Sequence, residues 1–209
     1  MAAVVALPNV VPIGSAMIPT YLVFDTETTG VPQDWAAPIS DLRNWPRVVQ
    51  LAWALFDVHE RMLERDAHLV KPQGFRIPRD AERVHGISTQ RALVEGFPLR
   101  QVLEEFSAVA GKAAMVVAHN FAFDAKVMGA EFLRAQMPDA LRQKRRLCTM
   151  IAGTDFCKLP GSYGYKWPTL PELHAALFQV QYTETHEAAA DVAACARCFF
   201  ELKRRGVIG

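Results

Sequence analysis

The chain has 209 residues, with 23 Lys and Arg against 22 Asp and Glu, and a formal net charge of +1. This length suits one domain of ordinary size, and 51% hydrophobic residues are enough to fill a sizeable core. The near-neutral balance excludes a strongly basic nucleic-acid coat, although an enzyme can still bind phosphates through metal ions and a few local cations.

Residues 1–19 are predicted to form an N-terminal arm ahead of one domain over residues 20–209. The arm is apolar, but it contains no Lys or Arg and is interrupted by Pro8, Pro12 and Pro19. This pattern suits neither a signal peptide nor a membrane helix, so we expect no membrane partner. A loosely ordered arm or an edge segment packed on the domain fits better.

Three strands are predicted first in the domain. Apolar, β-branched and aromatic residues place them over residues 21–26, 47–57 and 62–70. Residues 31–46, between the first two strands, carry three prolines and two tryptophans. We expect them to form a long loop that is either functional or disordered.

The rest of the chain is dominated by helical patterns. Helices are expected over residues 79–85, 88–94, 98–110, 120–134 and 170–178, and over a last helix that starts near Thr185 or His186 and ends at Arg205. Two further strands are expected over residues 114–118 and 146–150. Strands followed by alternating strands and helices predict a mixed α/β sheet with helices on its faces.

Asp25 and Glu27 end the first strand, one residue apart. Residues i and i+2 of a strand point to the same face, so the two carboxylates should lie side by side. Carboxylates held together repel each other unless a cation neutralises them. The pair therefore predicts a site for a divalent metal ion with oxygen ligands.

Further acids follow at two other junctions. Asp124 lies in His119-Asn120-Phe121-Ala122-Phe123-Asp124, directly after an apolar strand, and Asp191 lies in His186-Glu187-Ala188-Ala189-Ala190-Asp191, where the last helix begins. Junctions between strands and helices are where sites form in open α/β sheets.

The four cysteines do not predict a disulfide framework, so a reducing cytoplasm fits best. Cys195 and Cys198 have CxxC spacing, but they lie in an Ala-rich helical pattern without a second pair. We expect buried thiols rather than a zinc or redox site.

The segments DTETTG, HNFAFD and HEAAAD, in that order, resemble the three motifs of the DnaQ-like 3′→5′ exonucleases, in the histidine-containing branch of the DEDD superfamily. Val84-His85-Gly86-Ile87 also resembles a segment common in that family. The resemblance covers residues 21–206. It implies a ribonuclease-H-like fold, with a mixed five-stranded sheet flanked by helices, and hydrolytic release of nucleoside monophosphates from a 3′ end.

The resemblance also implies roles for single residues. Asp25, Glu27, Asp124 and Asp191 would bind two Mg²⁺ or Mn²⁺ ions, and His186 would be the general base. Two metal ions can clamp a phosphate, activate water and stabilise the leaving oxygen. In this scheme Asp25 bridges both ions, Glu27 and Asp191 complete one site, and Asp124 supports the other. Thr28, His85 and Phe123 would line the pocket for the terminal nucleotide.

Some interpretations stay open at this point. His119 serves either the site or the structure, His85 and Phe123 either bind substrate or pack, and the basic group Lys144-Arg145-Arg146, with Arg142 nearby, either contacts nucleic acid or is solvated. Tyr163, Tyr165 and Trp167 either stack on bases or fix their loop to the core.

The leading functional hypothesis is an exonuclease on single-stranded DNA or frayed 3′ ends, alone or with a polymerase partner. The alternatives are an exoribonuclease, since the motifs do not distinguish DNA from RNA, a non-catalytic nucleic-acid or polymerase-binding module with the same fold, and a small-molecule phosphoesterase.

Overall fold

The computed structural model describes residues 20–180, 182 and 186–209, and in them a five-stranded sheet carries the fold. The strands are β1 Thr20–Thr28, β2 Val48–Asp57, β3 Met62–Leu69, β4 Met115–Ala118 and β5 Arg145–Cys148. Their spatial order is β3-β2-β1-β4-β5. The first three strands pair antiparallel, whereas β4 is parallel to both β1 and β5. The predicted mixed sheet is confirmed.

Helices cover both faces of this sheet. They are α1 Arg79–His85, α2 Thr89–Glu95, α3 Leu99–Lys112, α4 Phe121–Arg134, α5 Thr149–Cys157, α6 Leu170–Phe178 and α7 Ala188–Arg204. Leu22 and Phe24 of β1 pack in one core with α3 and α4, while Tyr21 and Val23 pack in a second core with α6 and α7. The strict alternation along β1 therefore separates two cores.

The structure differs from the sequence-based expectation after β4. The strand expected over residues 146–150 begins earlier and ends at Cys148, and helix α5 follows at once. No large apolar stripe announces this helix, because its buried positions are the small residues Thr149 and Gly153. A Cβ on Gly153 would lie 2.6 Å from Leu173 Cδ1, so any larger residue there would have to displace the Leu173 side chain of α6.

Helix α5 is followed by a short hairpin, formed by β6 Pro160–Gly161 and β7 Gly164–Tyr165. Tyr163, Tyr165 and Trp167 are all exposed. The interpretation that they fix this segment to the core is therefore wrong.

The segment over residues 31–46 lacks helix and strand but is firmly attached to the domain. Trp45 is buried, and its Nε1 donates to the Pro38 carbonyl at 3.0 Å. Arg134 of α4 donates to the carbonyls of Leu42, Trp45 and Pro46 at 2.6, 2.7 and 3.2 Å. The loop is therefore an ordered part of the wall of the domain.

Two side chains of the basic group at the start of β5 make local contacts. Lys144 Nζ donates to the Ala113 carbonyl at 2.9 Å, and Arg146 donates to the Leu141 carbonyl at 3.0 Å. These bonds hold the turn that leads into β5, which favours the structural interpretation for both side chains.

The predicted arm over residues 1–19 lies outside the described residues, so the domain boundary stays a prediction. Thr185, one of the two expected starts of the last helix, also lies outside them. Helix α7 begins at Ala188, slightly later than expected. Cys195 and Cys198 are buried free thiols, as expected. Within the described part of the chain, every helix is too short or too polar to span a bilayer.

Candidate active site

Strand β1 delivers two acids to the face of the sheet that carries α7. Asp25 and Glu27 continue the series of Tyr21 and Val23, which pack against that helix. Thr26, between the acids, points to the opposite face, toward α4. Because β1 is the middle strand, its end meets elements from both sides of the sheet.

Helix α4 brings the third acid to the end of β1. Strand β4 ends at Ala118, and Asn120 in the left-handed region (φ 61°) turns the chain into α4. Asp124 lies in the first turn, only 3% exposed, and accepts a hydrogen bond from the Thr26 hydroxyl at 2.7 Å. Burial raises the pKa of Asp124 from 3.8 to about 7, against the opposing effect of the Thr26 hydrogen bond.

Helix α7 brings the fourth acid. Its first residue, Ala188, donates its backbone N–H to Gln50 Oε1 at 3.1 Å, and Gln50 lies opposite Glu27 in the sheet. Asp191, in the first turn of α7, is 4% exposed and accepts from the Tyr182 hydroxyl at 2.7 Å. Burial raises the pKa of Asp191, while Tyr182 and the nearby His186 oppose that shift.

All five predicted catalytic residues line one cleft of about 460 Å³, namely Asp25, Glu27, Asp124, His186 and Asp191. One ligand atom each of Glu27, His186 and Asp191 lies within 4.8 Å of the others. Asp25 and Asp124 line the same cleft outside this group of three. The structure thus brings together residues from three segments far apart in sequence.

The side chains of this cleft fit divalent metal ions. Among the described residues that line it, four are carboxylates and none is Lys or Arg. Buried carboxylates destabilise each other unless positive charge lies between them. Carboxylate oxygens are the ligands that Mg²⁺ and Mn²⁺ prefer, and an imidazole nitrogen is compatible with Mn²⁺.

His119 has a structural role at the floor of the cleft. Its Nε2 lies 3.1 Å from the Pro168 carbonyl and its Nδ1 lies 3.0 Å from Thr149 Oγ1. A carbonyl only accepts, so Nε2 carries the proton and Nδ1 accepts from the threonine hydroxyl. Burial lowers the pKa of His119 to about 4, so the ring is neutral and ties α5 to the segment before α6.

The three predicted pocket residues are placed differently. Phe123 lines the cleft, whereas Thr28 and His85 are buried beside it. The Thr28 hydroxyl donates to the Gly30 carbonyl at 2.6 Å, and His85 Nδ1 accepts from the Ile87 N–H at 3.0 Å. Burial lowers the pKa of His85, and the Thr28 backbone and His186 both act on it, so it adjoins the site.

Sequence reasoning missed three residues that position the acids. Thr26 contacts Asp124, Gln50 caps α7, and Tyr182 contacts Asp191. Thr26 has a readable signal, because a polar residue between two acids on a strand must face the other side of the sheet. Gln50 and Tyr182 have none, since their partners are set by the packing of α7.

Known proteins resemble this chain in sequence. A family model described as RNase_T, Exonuclease, matches residues 22–199. DNA polymerase III PolC-type proteins from Streptococcus thermophilus are 34% identical over 120 residues, which is 57% of this chain and 7% of theirs. The chain therefore spans a small fraction of the curated relatives it matches.

Solved structures share the fold. Escherichia coli exonuclease I in complex with a dT13 oligonucleotide has a TM-score of 0.71 at 20% identity, over 90% of this chain and 41% of that chain. Exonuclease I from Methylocaldum szegediense gives 0.70 at 20% identity, over 90% and 41%. These likenesses show the ribonuclease-H-like fold. The family match over residues 22–199 places this chain in the RNase_T exonuclease family, of the DEDD superfamily.

Proposed function

We propose that this chain is a metal-dependent 3′→5′ exonuclease that releases nucleoside monophosphates from single-stranded DNA or frayed 3′ ends. The observation that carries the proposal is the meeting of four carboxylates and the His186 imidazole in a single cleft. A polar strand end or an isolated helix-cap acid would not require that convergence. His186, in the third motif, supports the proposed membership of the histidine-containing branch.

Asp25, Glu27, Asp124 and Asp191 are the proposed ligands for two Mg²⁺ or Mn²⁺ ions. Bound ions would supply the positive charge that offsets the four carboxylates and the substrate phosphate, and would favour ionisation of water. Gln50, Thr26 and Tyr182 hold the acids in place before substrate arrives. This preorganisation reduces the rearrangement that the reaction itself requires.

His186 is the proposed general base. Its ring lies beside the carboxylates of Glu27 and Asp191, where an imidazole nitrogen can take a proton from the attacking water.

Phe123 is the proposed contact for the terminal nucleotide, with Thr28 and His85 supporting that wall. DNA is the proposed substrate because the relatives are named as a DNA polymerase and as exonuclease I with DNA oligonucleotides. The PolC-type similarity also supports a proposed polymerase partner. RNA is the alternative, and matched DNA and RNA oligomers would decide between them.

The test is degradation of a 5′-labelled single-stranded oligonucleotide with Mg²⁺ or Mn²⁺. We expect a ladder that shortens one nucleotide at a time from the 3′ end, with mononucleotide release and complete loss in EDTA. Asp25→Ala should abolish the ladder, whereas Asp155→Ala, on the exposed side of α5, should leave it intact.

Three results would contradict the proposal. Oligonucleotide binding without turnover would indicate a non-catalytic module. Hydrolysis of a small chromogenic phosphodiester with no activity on oligomers would indicate a small-molecule phosphoesterase. Equal activity of Asp25→Ala and the unsubstituted protein would show that the proposed metal site is not needed for hydrolysis.

A further inference from the structure

One exposed tryptophan lines the cleft and a second packs on a residue that lines it, and the proposed chemistry uses neither. Trp167 lines the cleft directly and is 63% exposed. Trp35 is 52% exposed and packs on Phe123, which also lines the cleft. The other two tryptophans, Trp45 and Trp53, are buried. Large exposed aromatic side chains beside a site are typical of binding surfaces.

The backbone around Trp167 is held on both sides. The carbonyl of the next residue, Pro168, accepts from His119 Nε2 at 3.1 Å, and Thr169 then begins α6 with a capping box. On the other side, the Lys166 N–H donates to the Leu159 carbonyl at 3.0 Å and closes the hairpin. The indole is therefore fixed at the cleft by its backbone rather than by burial.

The backbone around Trp35 is also fixed. The Trp35 carbonyl accepts from Lys126 Nζ at 2.7 Å. The preceding residue, Asp34, is bonded twice to buried Asn44, from its N–H to Oδ1 at 2.7 Å and from Nδ2 to its carbonyl at 2.9 Å. The ring centroids of Trp35 and Phe123 are 5.8 Å apart at 49°. The ordered 31–46 loop thus presents one indole beside the cleft.

We propose that Trp35 and Trp167 stack on bases of the nucleotides that precede the terminal one, so that the enzyme binds a run of several unpaired nucleotides. This inference rests on the proposed function for the identity of the strand. Every base has a flat face, so stacking tolerates any sequence. Bases in a duplex are already stacked and paired, so these contacts select single strands.

The inference also explains the attachments of the 31–46 loop and the hairpin. A rigid aromatic side chain loses little conformational entropy on binding, so a fixed indole gives more affinity than a mobile one. Neither tryptophan is among the proposed metal ligands, and neither is the proposed base. Their removal should therefore weaken the binding of long substrates without changing the chemistry at the terminal phosphate.

The experiment measures binding and turnover separately. Affinity for a 5′-fluorescein-labelled dT oligonucleotide is measured by anisotropy with Ca²⁺ in place of Mg²⁺. Mononucleotide release is measured with Mg²⁺, on the oligonucleotide and on thymidine 5′-(4-nitrophenyl phosphate). Trp35→Ala and Trp167→Ala should each raise Kd and KM for the oligonucleotide by about 5- to 100-fold, since stacking on one base is lost. Neither should change kcat on the oligonucleotide or on the small ester.

A matched control lies on the hairpin that precedes Trp167. Tyr163 is wholly exposed (104%) at the tip and is not among the residues that line the cleft, so Tyr163→Ala should bind oligonucleotide normally. Thermal unfolding of all three variants should match the unsubstituted protein, because the replaced side chains are exposed. A loss of affinity equal to that of Trp167→Ala in the control would overturn the inference.

Single abasic sites locate the stacked bases. An abasic site at one of the positions preceding the terminal nucleotide should weaken binding by the unsubstituted protein. The same abasic site should not weaken binding by Trp167→Ala any further, because this variant already lacks the stacking contact with that base. Equal losses for both proteins at every position would overturn the inference.

The outcomes separate the two proposals. If the tryptophan variants lose affinity but no mononucleotide is released, stacking stands and the exonuclease assignment falls. If mononucleotide is released and both variants bind normally, the exonuclease assignment stands and stacking falls. If the unsubstituted protein binds no oligonucleotide, both fall.

Discussion

Glu131 of α4 gives the clearest test of what holds the wall of the site together. Its side chain is fully buried, and its Oε1 accepts from Arg47 Nε at 2.8 Å and from the Val48 N–H at 2.9 Å. Arg134 Nη1 lies 3.2 Å from the same oxygen. The three charged groups join α4, the start of β2 and the end of the 31–46 loop.

Glu131→Ala should lower the free energy of unfolding by about 3 kcal/mol. Breaking a buried ion pair from one side costs about 3–5 kcal/mol. The lower end applies because the Arg47 side chain is 23% exposed and Arg134 keeps three carbonyl partners. Part of the cost is the Val48 N–H, since a buried donor without a partner costs about 1–3 kcal/mol.

Urea unfolding followed by tryptophan fluorescence measures this change. Glu131→Gln is the matched control, because it keeps the volume and an acceptor for the Val48 N–H while removing the charge. It should cost clearly less than Glu131→Ala. A loss under about 1 kcal/mol for Glu131→Ala would show that the buried ion pair does not stabilise this wall. Equal losses for Glu131→Ala and Glu131→Gln would show that the acceptor for the Val48 N–H contributes nothing.

Three further predictions concern the site and the thiols. His186→Ala should lower turnover by about 10²- to 10⁴-fold, but it should lower the Mn²⁺ affinity measured by calorimetry much less. The control His59→Ala, at an exposed position, should change neither quantity. A parallel loss of turnover and Mn²⁺ affinity in His186→Ala would make His186 a metal ligand instead of the base. The raised pKa of Asp124, from 3.8 to about 7, means that the contribution of this carboxyl to metal-free stability is fully present below pH 3.8 and is lost as pH rises through about 7. Asp124→Asn should therefore flatten urea-measured stability between pH 4 and 7 in EDTA, and an unchanged slope would contradict this origin. Burial raises the pKa of the Cys195 thiol and raises that of the Cys198 thiol to about 12. A thiol reagent should therefore label both cysteines only after unfolding. Release of zinc on labelling would instead show that the CxxC pair binds a metal ion.

Elements with strong local signals agree closely with the structure. The helices predicted over residues 79–85 and 170–178 match α1 and α6. Gly86 ends α1 in the left-handed conformation, and the Thr169–Glu172 capping box begins α6. Such caps are made by residues a few positions apart, so they can be read from sequence.

Elements without such signals were missed or displaced. Helix α5 buries small residues, so it carries no apolar stripe, and its neighbour Leu173 on α6 supplies the bulk. The exposure of Trp167 was equally unreadable, because apolar rings in a loop serve a core and a binding surface alike. Packing partners distant in sequence decide both cases.

The sequence by itself determined that Asp25 and Glu27 share a face of a strand, because side chains along a strand alternate with period two. It also determined the order of the motifs and the alternation that separates the two cores. Tertiary structure alone decided that Asp124 lies against Thr26 and that Asp191 and His186 lie beside Glu27. It also decided that exposed Trp167 lines the cleft and that exposed Trp35 packs on Phe123 of the cleft lining. Those distances depend on where α4, α7 and the hairpin pack on the sheet, and local sequence does not encode packing between segments so far apart along the chain.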